Sequence, residues 1–318
     1  MRIPCLVYVA ATCAGCSAPA TQEAVAPEHR LPPGIEAISL VGDTLRPPAL
    51  DSATRAGHEA RLVAALREAQ ARPHDADALI WVGRRTAYLG RYREAIAVFT
   101  RGHAEFPDDA RFLRHRGHRH VTVRDLDRAI ADLEQAARLV AGRSDEVEPD
   151  GLPNARGIPT STLQSNIWYH LGLARYLKAD FPGAASAWSA GLAVSRNNDM
   201  LVATSYWLYL ALRRAGRLAE AAALLEPIRA DMEIIENRSY HRLLLVFTGA
   251  LASDSTSAGA PGALDIATVG YGLGAWHQLN GRGEDARSWW RRVMAGGNWP
   301  AFGFIAAEAE LARDLRRP

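Results

Sequence analysis

The chain has 318 residues, 48% of them hydrophobic and 23% charged, with a formal net charge of +2 and a pI near 8.5. This balance excludes a wholly disordered chain, and the mild charge excludes a dedicated nucleic-acid binder, which carries a concentrated basic face. All three cysteines, Cys5, Cys13 and Cys16, stand in the first sixteen residues, so the remainder has no thiol for a disulfide or a cysteine-ligated zinc.

The first element is a secretory signal: Arg2, an apolar run from Ile3 to Ala11, then small residues before Cys16. The run is too short to span a bilayer as a mature helix. Ala14-Gly15-Cys16 after such a run resembles the lipobox of bacterial lipoproteins, with Cys13 where that family prefers leucine. The resemblance implies a signal peptide over residues 1–15, cleavage before Cys16 and a diacylglycerol on its thiol, which with further acylation anchors a protein firmly. Ser17, where many such lipoproteins carry an aspartate that retains them at the inner membrane, implies an outer-membrane destination facing the periplasm. Plain secretion is the alternative. Residues 16–50 follow, rich in Ala, Pro, Thr and Glu with Pro-Pro at 32–33 and 47–48, and read as a flexible or polyproline-like tether.

Next comes repetition. Gly83, Ala95 and Phe99 recur 34 residues on as Gly117, Ala129 and Leu133. They return as Gly172, Ala184 and Trp188 after an inserted segment, residues 144–164, then as Tyr209, Ala221 and Leu225, and finally as Gly274, Ala286 and Trp290. Room for one degenerate unit around Ser239 to Ala263 brings the array to about six units. Within a unit, the glycine and alanine allow two helices to cross closely, and the large residue fills the space beside them. Ala129-Ile130-Leu133-Ala136-Ala137 has helical spacing, and no segment alternates with the period of a strand.

Leu79, Gly83, Gly90-Arg91-Tyr92, Ala95-Ile96, Phe99 and Pro107 resemble the tetratricopeptide repeat slot by slot, as do Trp168, Leu171-Gly172, Asp180-Phe181, Ala184 and Trp188. Arg124 departs by replacing a turn glycine. The resemblance implies an all-α, right-handed solenoid of helix-turn-helix repeats over residues 76–297. Helical caps are expected over 51–75 and 298–318, since a solenoid exposes apolar ends unless they are covered.

In that family the first helix of each unit lines the concave, ligand-binding face. Matching positions give Arg84, Tyr88, Arg111, Arg114, His118, Asn166, Tyr169, Tyr176 and Tyr206 as groove residues. Arginine forks match carboxylates or phosphates, and tyrosine offers apolar area with a polar tip. The expected function is therefore a non-enzymatic interaction or scaffolding module that binds a protein or peptide segment, acidic where the arginines decide. No cofactor, metal or nucleic acid is expected. His115, His118 and His120 lack converging acidic partners, and Gly270-Tyr271-Gly272-Leu273-Gly274 falls inside a repeat helix, where close packing rather than phosphate binding accounts for it. An enzyme with its site between the 144–164 segment and Arg114, His118, Tyr169 and His170 is one alternative; a self-assembling structural spacer is another.

Overall fold

Side-chain caps and left-handed turn residues set the helix boundaries. Asp75 accepts from the backbone N–H groups of Asp77 and Ala78, Asn197 accepts from that of Met200, and Thr162 and Ser165 cap each other reciprocally. The computed structural model describes residues 31–253 and 262–316. The expected signal peptide and Cys16 lie outside the described residues.

Two short strands, β1 (Ala37–Ile38) and β2 (Thr44–Leu45), pair antiparallel with Ala37 opposite Leu45. Helices follow: α1 (Ser52–Ala71), α2 (Ala76–Tyr88), α3 (Tyr92–Glu105), α4 (Ala110–Thr122), α5 (Leu126–Val140), α6 (Leu163–Leu177) and α7 (Phe181–Ala193). The second half holds α8 (Asn198–Arg214), α9 (Leu218–Leu225), α10 (Arg238–Phe247), α11 (Ala263–Leu279), α12 (Gly283–Ala295) and α13 (Phe302–Leu315). Successive helices form antiparallel hairpins, α2/α3, α4/α5, α6/α7, α8/α9 and α11/α12, and the first helices of the first four hairpins also touch in sequence. The degenerate unit is represented by α10; residues 254–261 of it lie outside the described residues. Among the described residues no helix is long and apolar enough to cross a membrane.

The repeat landmarks meet as their spacing requires. A Cβ on Gly83 would stand 2.4 Å from the Phe99 ring, on Gly117 2.7 Å from Leu133, on Gly172 2.5 Å from Trp188 and on Gly274 2.3 Å from Trp290. Each first helix is thus drawn in until the large residue of its partner lies on bare backbone. The run Gly270 to Gly274 works the same way: Cβ atoms at Gly270 and Gly272 would come within 2.6 Å of Val293 and 2.5 Å of Leu243.

Three expectations are corrected. Residues 36–50 are not a loose tether: Ala37 and Leu45 are buried, Arg93 donates to the Glu36 carbonyl at 2.7 Å, and the Trp299 indole donates to the Arg46 carbonyl at 2.7 Å. The terminal helix α13 is more than a cap, for Phe304 to Glu310 are all buried and it packs on α11, α12 and α6. The inner face of the first helices is consequently occupied by the chain itself.

Glu308 makes that occupation possible. Its fully buried carboxylate receives both arms of the Arg124 fork, at 2.6 and 3.1 Å, and the Leu40 N–H at 2.5 Å. Arg124 occupies the turn of the second hairpin at φ +67°, where Gly90, Gly216 and Gly281 stand at φ +76° in three of the other turns and Ala179 at φ +65° in the fourth. A non-glycine residue there costs roughly 1–2 kcal/mol. The guanidinium supplies the reason to retain it.

Removing one partner of a buried ion pair strands the other. Glu308→Gln should therefore destabilise the protein by about 3–5 kcal/mol, measured by urea unfolding. A Cβ on Gly303 would meet the Ala267 carbonyl oxygen at 2.3 Å, and backbone cannot swing aside. Gly303→Ala should cost about 1–3 kcal/mol in the same assay.

Candidate functional site

The inserted segment, residues 144–164, is ordered across the inner face. Val147 bridges Thr162, the Glu148 N–H donates to the Ser161 carbonyl at 3.0 Å, and the Leu163 N–H to that of Glu146 at 2.9 Å, so the segment leaves and rejoins the array as a clasp. Its far half is tied to the loop after α9, where Arg156 pairs with Glu233 and Asn154 donates to Glu236, both at 2.5 Å. Its near half, Asp145-Glu146-Val147-Glu148-Pro149-Asp150-Gly151, is acidic and lies along α2 and α4. Arg84 donates to the Pro149 carbonyl and Arg85 to that of Gly151, each at 2.8 Å. The Glu148 carboxylate pairs with Arg114 at 2.9 Å and accepts from Asn166 at 3.2 Å. Gly151 rests against Tyr88, where a Cβ would collide with the phenol oxygen.

Arg84, Tyr88, Arg114, His118 and Asn166 are thus brought together around the chain's own acidic segment. Arg111 lies at the same track but is engaged by Asp109 and Asp77, whose hydrogen bonds hold its guanidinium above its ordinary pKa. The other three tyrosines expected in the groove, Tyr169, Tyr176 and Tyr206, are elsewhere. Tyr176 and Tyr206 are fully buried, which corrects the expectation that they meet a ligand. Tyr176 hydrogen-bonds Tyr271 of α11 at 2.8 Å, and burial pushes its phenol up to about 12. Tyr206 lies between Trp207 and Phe247. The Tyr169 hydroxyl takes the Trp207 indole N–H at 2.8 Å and meets Tyr240 at 3.0 Å.

Sequence reasoning missed Arg85, His115, Arg119 and Glu148. A helical step of four from His115 leads to Arg119, and the acidic run of the insertion contains Glu148; what spacing does not give is which groove residues that carboxylate meets. Behind Glu148 lies a cavity of about 120 Å³ lined by Arg84, Tyr88, Arg114, His115, His118 and Arg119. Burial lowers the pKa of Arg114, an effect the Glu148 charge partly offsets, and burial brings Arg119 down to about 10. His118 and His170 sit with ring centroids 4.2 Å apart, and the edge of Phe302 from α13 closes on both. His170 Nδ1 donates to the Asn166 carbonyl at 2.6 Å, leaving a buried Nε2 without a partner. Among the described residues no group of three His, Cys, Asp or Glu side chains converges as metal ligands, and His120 turns instead toward Asp125 and Asp132.

The glycine-to-large-residue contact at an offset of sixteen, repeated in four stacked hairpins, decides the architecture. The fold is an all-α solenoid of stacked helical hairpins. No protein-family model and no curated protein matches the sequence. Among solved structures the chain is similar to YrrB, described as a tetratricopeptide protein with an unusual peptide-binding site, at 14% identity over 73% of this chain and 92% of that one, with a TM-score of 0.40. It is also similar to a tetratricopeptide repeat protein from Parabacteroides merdae at 16% identity, over 78% of this chain and 90% of that one, with a TM-score of 0.44. The hairpins of this chain differ from one another chiefly in what lies on their first helices: the acidic segment on α2 and α4, and α13 on α6.

The histidines give this site a pH signature. Burial, together with the charges of Arg114 and Arg119 and each other's proximity, keeps His118 and His170 well below their ordinary value of 6.5. Below that value the unfolded chain takes up protons that the folded chain refuses, so stability falls as pH drops from about 6.5 toward the folded values. Urea midpoints should decline between about pH 7 and 5.5, by up to about 1.4 kcal/mol per pH unit for each ring, and His170→Gln should flatten the slope.

Proposed function

We propose that this chain is a non-enzymatic interaction module of a bacterial cell envelope, anchored at the outer membrane through a lipid on Cys16, which takes an acidic, extended segment of a protein partner on α2 and α4. One observation carries the reading: the chain's own residues 145–151 already lie there, with arginines on two of their backbone carbonyls and on the Glu148 carboxylate. Guanidinium groups that bind main-chain carbonyls of an extended segment recognise its shape, and the one that meets a carboxylate recognises its charge. A partner segment of the same chemistry competes with the internal one, whose tether holds it at a high effective concentration. The clasp therefore sets a threshold that only a well-matched partner passes.

An end-blocked, fluorescent peptide of the sequence of residues 145–151 tests this. It should bind the full-length Glu148→Ala variant at least about tenfold tighter than the unaltered protein, since the internal competitor is then weakened. Adding Arg84→Glu and Arg114→Glu should remove that binding, as read by fluorescence anisotropy. Failure of the peptide to bind any of these proteins would overturn the reading. Anchoring is tested separately: Cys16→Ser should abolish incorporation of a fatty-acid label and move the protein from the membrane to the soluble fraction.

A further inference from the structure

A second observation concerns the cavity behind Glu148 rather than the track of the acidic segment. Deep guanidinium groups elsewhere in the fold are met by carboxylates: Arg124 by Glu308, Arg116 by Asp132, Arg214 by Glu310. Three guanidinium groups, those of Arg84, Arg114 and Arg119, line this cavity, and one carboxylate faces them. Glu148 is spent on Arg114, with 2.9 Å between them. Asp150 lies near enough to Arg84 to feel its charge, yet Arg84 spends its hydrogen bond on a neutral carbonyl. Arg119 has no carboxylate partner among the described residues; it lies against the His118 ring, 2.6 Å from Nδ1, and over the Tyr92 ring at 5.6 Å.

Aromatic and imidazole neighbours do not neutralise a guanidinium withdrawn from water, and such a charge is costly to the fold unless an anion joins it. His115 and His118 are held neutral there, so they add donors without adding carboxylate-like charge. A volume of about 120 Å³ admits several waters or one small anion, and excludes a peptide.

We propose that this cavity is a binding site for a small oxyanion, a free phosphate or sulfate or the equivalent head of a small carboxylate metabolite, held by Arg119 and Arg84 with His118 beside it. The planar forks present paired donors to paired oxygens, and Glu148 with the clasp forms the wall on the solvent side. The anion supplies the charge that the fold lacks at Arg119. It also reinforces the face on which the acidic segment rests, because Arg84 belongs to both.

The test uses the full-length protein purified in chloride buffer, titrated calorimetrically and melted in the presence of inorganic phosphate, sulfate or acetate. One-site binding with a rise in melting temperature is expected; preference for phosphate and sulfate over acetate identifies the free inorganic anion, and the reverse identifies a carboxylate head. Arg119→Gln should weaken binding at least about tenfold, as loss of a charge-assisted fork requires, while its melting temperature without anion equals or exceeds that of the unaltered protein. Should that variant fold poorly, Arg119→Lys, which keeps the charge and loses the fork, should still weaken binding. Glu148→Ala, which removes the one carboxylate on the cavity wall, should tighten phosphate binding, and the end-blocked peptide should not displace phosphate from the unaltered protein. The inference is overturned if none of the three anions binds, if the Arg119 variants bind phosphate as the unaltered protein does, or if phosphate binds only once Glu148 is removed.

Discussion

The Glu308 carboxylate is the constraint on which the rest of this structure depends. It is completely buried, and it is satisfied only by groups far apart in the chain: the Arg124 fork at one hairpin turn and the Leu40 N–H of the N-terminal β-hairpin. Repeat arrays are usually held together by neighbour on neighbour, each unit indifferent to those beyond the next. Here a charge on the last helix must find a charge in the second hairpin. Trp299 adds to the same knot, its indole on the Arg46 carbonyl, its carbonyl receiving Arg124, and its ring edge-on to Tyr92. The inner face closes because these groups have nowhere else to be satisfied.

Closure changes what such a face can do. An open array of first helices offers a long track to an extended ligand; in this chain α13 takes the part over α6, and the insertion the part over α2 and α4. These occupants differ in kind. Helix α13 brings aromatic and aliphatic side chains that fuse with the core, Phe304 and Ile305 among them. The insertion brings carboxylates and carbonyls onto arginines, leaves Val147 and Leu152 exposed, and buries little apolar area. Replacing it costs polar contacts that a partner can remake, whereas replacing α13 would open the core.

Much of the architecture was legible in the sequence because packing at a close helix crossing is written locally. Gly83 and Phe99, Gly172 and Trp188, Gly274 and Trp290 stand sixteen residues apart, and a single hairpin brings each pair together. Arg84, Tyr88, Arg114, His118 and Asn166 were equally legible, since one face of one helix follows from spacing. What escaped was set by distant segments. Nothing near Tyr176 or Tyr206 announces that Tyr271 and Phe247 will cover them, and residues 36–50, despite apolar Ala37, Leu40 and Leu45, give no local sign that Trp299 will pin them down. Arg124 departs from the repeat at a turn glycine, and only the distant Glu308 shows what its side chain does there.

The dependence of Arg124 on Glu308 also has a temporal side. Ribosomes release the chain from its beginning, so α4, α5 and their turn exist as nascent polypeptide well before α13 has been made. Until then Arg124 has no carboxylate to enter with, and the aromatic residues that α13 and α11 will shield stay wet. The interior around Arg124 can therefore close only once α13 has emerged, a contact between segments far apart in the chain.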